Sequence, residues 1–168
     1  YSVHLDGETA GFSDQVVNTY DGEACVKLWG SGGENNLFQT YFDGVIAPGT
    51  HLFADAMVQI PTGDQMDEAG HFVLFAKYFS DGWGWLGMDS SIHVSPAHGL
   101  DEWMYVEMEG MVPEGATIVQ IGMFLNGASG TGSVYVDDFY AHIPLTQTGL
   151  FVKYGDIAAV AIEDSVNM

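Results

Sequence analysis

Glycine and proline punctuate this chain at intervals that suit turns between short strands. Twenty-two glycines are spread along the sequence, and Pro48, Pro61, Pro96, Pro113 and Pro144 fall between apolar runs. Strands are predicted over Ala24–Trp29, Asn36–Phe42, His51–Ile60, His71–Ser80, Trp103–Met111, Thr117–Asn126 and Ser133–His142, each rich in β-branched or aromatic residues. No segment sustains an apolar i, i+3, i+4, i+7 pattern between capping signals, and Thr148–Ala161 is the ambiguous stretch. Met104, Val106 and Met108 alternate with Tyr105, Glu107 and Glu109, while Val134 and Val136 are separated by a break from Phe139 and Ala141. Such strands bury one face and leave the other wet or lined for contact. The expected architecture is all-β, an antiparallel two-sheet β-sandwich of the jelly-roll kind.

The 168 residues suit one domain. After Pro144 the chain turns polar and small over Leu145–Gly149, and two apolar runs, Leu150–Tyr154 and Ile157–Ile162, then flank Gly155-Asp156. Residues 1–144 are therefore expected to form the sandwich. Residues 145–168 are expected to add strands or a hairpin, either in the same domain or exchanged with a neighbouring subunit.

Charge narrows the partners. The chain carries 23 acidic residues against Lys27, Lys77 and Lys153, with no arginine, for a net charge of −20. A surface of that sign repels nucleic acid and anionic membranes, and no stretch approaches the ~20 apolar residues of a membrane-spanning helix. The acids either keep the protein soluble in a salty medium or hold Ca²⁺ through hard oxygen ligands. Cys25, the single cysteine, rules out an intrachain disulfide and a cysteine-based zinc site, and it reads as a small buried hydrophobe. The first residues alternate apolar with polar, so no leader is expected within them, and the chain reads as a mature or excised portion.

Two groups of residues stand out as site candidates. In Tyr78–Gly87, Trp83 and Trp85 alternate with glycines in a segment that reads as a turn lacking local packing neighbours. They are the expected aromatic platform, with Asp81, Asp89 and Asn35 or Gln39 supplying hydrogen bonds to hydroxyls. Trp29, before Gly30-Ser31-Gly32-Gly33, is a second loop-edge aromatic. Phe53, Phe72, Phe75, Phe124, Phe139 and Trp103 are expected in the core. The other group is Asp137-Asp138, whose side chains should point to opposite faces of a strand. An inward carboxylate needs a partner, and with so few lysines a cation is the expected one. Catalysis is not expected. Acids are too widespread to single out a glycosidase pair, His93 and His98 lack a zinc spacing, and no G-x-S-x-G turn occurs.

The order of signals from Gly22 to His142 resembles the jelly-roll carbohydrate-binding modules of the galactose-binding-like superfamily, especially those related to families four, nine, sixteen and twenty-two. The matching segments are GEACVKLWG (Gly22–Gly30), NNLFQTYFDGVIAPGTHLFADAMVQIP (Asn35–Pro61), EWMYVEMEGMVPEGATIVQIGMFL (Glu102–Leu125) and GSVYVDDFYAH (Gly132–His142). The resemblance implies a secreted or cell-surface, non-catalytic module that binds a polysaccharide through loop aromatics. It also implies a structural calcium site at Asp138, with Asp6 or Glu8 as the N-terminal ligand. The other expectation is a structural subunit of an extracellular filament or surface layer, assembled by divalent cations and by strand exchange through Leu150–Ile162.

Overall fold

A computed structural model describes residues 2–5, 10–13, 19–21, 25–29, 34–126, 132–143 and 150–154. Eleven strands are formed within them: β1 (Ser2–Leu5), β2 (Ala10–Ser13), β3 (Cys25–Trp29), β4 (Glu34–Tyr41), β5 (His51–Gln59), β6 (His71–Phe79), β7 (Trp85–Ser90), β8 (Met104–Met111), β9 (Ile118–Asn126), β10 (Ser133–Ile143) and β11 (Leu150–Tyr154). They make two antiparallel sheets. One has the order β1-β4-β9-β6-β7, and the other β2-β3-β10-β5-β8 with β11 also paired to β10. The expected β-sandwich is the observed fold.

The inner faces meet in one core. Leu52, Ala54, Ala56 and Val58 of β5 and Val106 and Met108 of β8 face Leu37 and Tyr41 of β4, Phe72, Leu74 and Tyr78 of β6, and Ile121, Met123 and Leu125 of β9. Strict alternation in β5 and β8 follows from one buried and one wet face. β6 and β9 lie in the middle of their sheet and are apolar on both faces. Val73, Phe75 and Phe124 form a second cluster on the outer side, with Phe38 packed against it. Phe72 and Phe139 sit in the main core as expected, whereas Phe75 and Phe124 belong to this second cluster. Phe53 and Trp103 are only half-buried, Phe53 because its position in β5 faces outward. Cys25 is buried.

The break noticed in the last long strand is a β-bulge. Register against β5 shifts between Asp137 and Tyr140, and Asp138 takes a left-handed backbone with φ 46°. The extra residue restores inward orientation, so Val134, Val136, Phe139 and Ala141 all reach the core. This corrects the expectation of two adjacent acids on opposite faces of a regular strand. The fully buried acid is Asp137, and its partners are backbone amides. Oδ2 accepts from Tyr20 N at 2.9 Å and Asp21 N at 3.1 Å, and Oδ1 accepts from Asp138 N at 2.8 Å.

The edges of the two sheets are latched. Asp89 of β7 points inward, where Oδ2 accepts from the Tyr78 hydroxyl at 2.8 Å and from Met111 N of β8 at 3.1 Å. Gly110 leaves room for this, because a methyl group there would lie 2.6 Å from the Tyr78 oxygen and 2.7 Å from Asp89 Oδ2. Burial, reinforced by Asp89, pushes the Tyr78 phenol well above its ordinary value. Asp89 Oδ2 is therefore engaged in a contact between the two sheets.

On the wet face of the other sheet, Asp55 stands directly across from Glu107. Partial burial first, then the nearby Glu107 and Asp138, raises the Asp55 carboxyl above its ordinary 3.8. An acid raised on folding is less costly when protonated, so its burden on stability appears as pH rises through its folded pKa. Asp55→Asn is expected to stabilise the protein at pH 7 by about 0.3–0.5 kcal/mol, allowing for solvent screening. Denaturant midpoints at two pH values check this: the gain should vanish below pH 3.8 and shrink in high salt.

β11 pairs with β10 of its own chain, from Phe139↔Tyr154 to Ile143↔Leu150. The first apolar run after Pro144 thus completes the same sheet. Residues 157–162 lie outside the described residues.

Candidate functional site

Five residues, Ser80–Gly84, connect β6 to β7. Ser80 N donates to Gly84 O at 2.8 Å and Trp83 N to Ser80 O at 3.1 Å, which closes the loop at its neck. The Ser80 hydroxyl adds a contact to Gly84 O at 3.3 Å. Gly82 and Trp83 both have positive φ, 70° and 67°. Glycine tolerates this freely, but for an indole-bearing residue it costs about 1–3 kcal/mol. The closed neck holds Trp83 in that conformation, with its ring half-exposed.

Trp85 is not in the turn, as its sequence suggested. It opens edge strand β7 opposite Phe79, and Leu86 is the extra residue of a bulge between the Tyr78↔Gly87 and Phe79↔Trp85 pairs. Nor do the two tryptophans lack neighbours. Phe79 meets Trp83 edge-on at 5.3 Å and Trp85 at 5.4 Å, and Phe42 meets Trp83 at 5.8 Å. The rings support one another and still show solvent a large apolar area: Trp83 is 50% exposed, Trp85 58% and Phe42 43%.

A cleft of about 560 Å³ opens beside Trp83, lined by Phe42, Asp43, Asp81, Gly82, Trp83, Thr117 and Ile118. That volume lies within the usual range for small-ligand sites. Its base is tied together by Gly44 N to Thr117 O at 2.9 Å and Thr117 N to Phe79 O at 3.0 Å. Thr117 Oγ1 is buried there without a hydrogen-bond partner among the described residues. Of the residues expected to bind, Trp83 and Asp81 line this cleft, and Trp85 adjoins it through Phe79. Phe42, Asp43 and Thr117 were missed. Asp43-Gly44 marks a turn, but that signal carries no information about which other loop the turn meets.

The remaining candidates are elsewhere. Gln39 is buried and stands in register with Ile121 of the core, since it shares the inward face of β4 with Leu37 and Tyr41. Asn35 pairs with Leu125, which pairs with Phe72. The Phe79↔Trp85 pair lies seven positions away along β6, roughly 23 Å at strand rise. Trp29 ends β3 opposite Ser133 in the other sheet, where it is half-buried. The aromatic residues on the outer face between these points do not extend the platform, because Phe75 and Phe124 are buried.

Calcium ligands fare differently. Asp137 already accepts three backbone amides, and Asp138 is half-buried at the bulge. Among the described residues no group of three or more His, Cys, Asp or Glu side chains is placed to hold a metal. Asp6 and Glu8 lie outside the described residues.

No protein-family model matches the chain, and no curated protein matches it. Solved structures do. The C-terminal family 22 carbohydrate-binding module of Clostridium thermocellum Xyn10B superposes with a TM-score of 0.61 at 14% identity, covering 84% of this chain and 85% of that one. The family 22 xylan-binding domain of Paenibacillus barcinonensis Xyn10C gives 0.58 at 14% identity, with coverage of 84% and 85%. The enzymatically active domain of tailspike protein 4 from bacteriophage CBA120 gives 0.55 at 15% identity. There the match covers 83% of this chain but only 19% of the tailspike chain. At these identities the likeness establishes the fold, which is the jelly-roll sandwich shared with carbohydrate-binding modules.

Proposed function

We propose that the protein is a non-catalytic, extracellular carbohydrate-binding module that holds a polysaccharide against Trp83 and Trp85. The observation that carries this reading is the cluster of half-exposed Phe42, Trp83 and Trp85 around a cleft with polar walls. Aromatic faces stack on the apolar faces of sugar rings, and the carboxylates of Asp81 and Asp43 accept hydrogen bonds from hydroxyls. The likeness to modules such as the xylan-binding domain supports the same class of ligand. The acidic surface suits a salty exterior and disfavours strongly anionic glycans. A structural calcium ion belongs to this reading through Asp138 with Asp6 or Glu8, and its role would be to anchor the N-terminal segment.

Affinity gel electrophoresis on neutral and acidic polysaccharides, with Ca²⁺ and with a chelator, tests the reading. Trp83→Ala and Trp85→Ala are each expected to weaken retardation at least tenfold while the far-ultraviolet circular dichroism stays that of the parent. Unchanged retardation in both variants would remove the site. A melting temperature that is the same in Ca²⁺ and chelator would remove the ion.

A further inference from the structure

We infer that this cleft selects a glycan bearing protonated amino groups, an amino-sugar polymer, over neutral and uronic-acid glycans. The inference rests on the carbohydrate-binding reading and names the ligand within it. Two carboxylates, Asp43 and Asp81, stand in the wall of a cleft whose other walls are the rings of Phe42 and Trp83. Neither carboxylate has a hydrogen-bond or ionic partner among the described residues, and neither is needed to satisfy a buried group. Neither Lys27 nor Lys77 lines the cleft: Lys27 pairs with Asp64 at 2.8 Å, and Lys77 lies over the Phe75 ring at 4.5 Å.

Aromatic faces and carboxylates attract the same kind of group. An ammonium is drawn both to the negative face of an indole or phenyl ring and to a carboxylate, whereas a sugar hydroxyl gains only hydrogen bonds. The net charge of −20 adds attraction at longer range for a cation and opposes a uronate. The cleft is too wide for a bare amine, and the half-exposed Trp83 and Trp85 present ring-sized apolar area. A charged amine on a pyranose ring satisfies all of these features together.

Isothermal titration with three trisaccharides of equal length tests this: the glucosamine trimer, the N-acetylglucosamine trimer and cellotriose. The amine trimer is expected to bind at least tenfold more tightly than either neutral trimer, with a preference that weakens in salt. The double variant Asp43→Asn/Asp81→Asn is expected to abolish the preference, so that the amine trimer binds no more tightly than the two neutral trimers do to the same variant. Asparagine keeps the shape and tolerates the left-handed backbone at position 43. A control with the same loss of charge on the far sheet, Glu107→Gln/Glu109→Gln, is expected to retain the preference. Equal loss in both double variants overturns the inference, because the attraction then comes from net charge alone. Trp83-dependent binding of all three trimers with equal affinity also overturns it while leaving the carbohydrate reading intact. Binding of no trimer removes both. Trilysine binding as tightly as the amine trimer assigns the cleft to basic peptides instead.

Discussion

Replacing Asp137 with alanine is expected to cost about 3–5 kcal/mol of folding free energy, among the largest effects of any single substitution in the chain. The carboxylate is 1% exposed and accepts from the amides of Tyr20, Asp21 and Asp138. Alanine would leave those donors without an acceptor in a place water reaches poorly. Two of them belong to the segment 19–21, which Asp137 holds against β10, and the third belongs to the bulge that returns Phe139 and Ala141 to the core. Typical domains are stable by only ~5–15 kcal/mol, so the variant should unfold far earlier in urea. Asp137→Asn keeps an acceptor oxygen but loses the charge, and is expected to cost about half as much. A shift of the urea midpoint worth less than about 1 kcal/mol for alanine would mean that water replaces the carboxylate, and the anchoring role would be withdrawn.

Gly122→Ala is the second large effect expected, about 2–4 kcal/mol, from the middle of the five-stranded sheet. Gly122 of β9 pairs with Phe38 of β4 and Phe75 of β6. A methyl group at this position would lie 2.6 Å from Phe38 Cα and Cβ and would also clash with the Leu37 carbonyl oxygen. Carbon atoms pack comfortably at ~3.5–4 Å, so β4 would have to move away from β9 and strain the hydrogen bonds between them. The cost falls on backbone, which cannot rotate aside as a side chain can. Thermal and urea unfolding measure it, and the cleft should keep its shape in the folded fraction, since it is built at the end of the sheet where β6 turns into β7. A loss under about 1 kcal/mol would show that the close approach of β4 and β9 relaxes easily.

How far the sequence went can be traced through individual elements. The seven strands inferred from composition and turn spacing are present within one or two residues of their expected ends, because β-branched runs between glycine and proline report local backbone preference. β7 was hidden. Its Trp-Leu-Gly-Met-Asp-Ser sequence neither alternates cleanly nor lacks glycine, and it becomes a strand because β6 offers it an edge to pair with. The alternation of Met104, Val106 and Met108 against Tyr105, Glu107 and Glu109 was legible because burial on one face writes itself into every second residue. Gln39 lies in a strand with the same period, yet its polar amide gave no hint that it would face the core.

The acidic pair shows the limit most plainly. Sequence showed that Asp137-Asp138 interrupts an apolar alternation, but the choice between cation and amide partners depended on where residues 19–21 pass. That is a contact across more than 110 positions. The same holds for the cleft. Glycine-flanked tryptophans identified one wall, whereas Phe42, Asp43 and Thr117 join it only because three separate loops converge at one end of the sandwich.

The sequence by itself determined the all-β class, the wet and buried faces of its alternating strands, the extreme negative field, and the aromatic loop around Trp83, since each follows from local propensity or from summed charge. Tertiary structure alone decided the strand order, the bulge at Asp138, the inward use of Asp89 and Gln39, and the meeting of Trp83 with Phe42 and two acids. These depend on which distant segments lie side by side, and pairing energy between strands is set by neighbours that no local stretch of sequence contains.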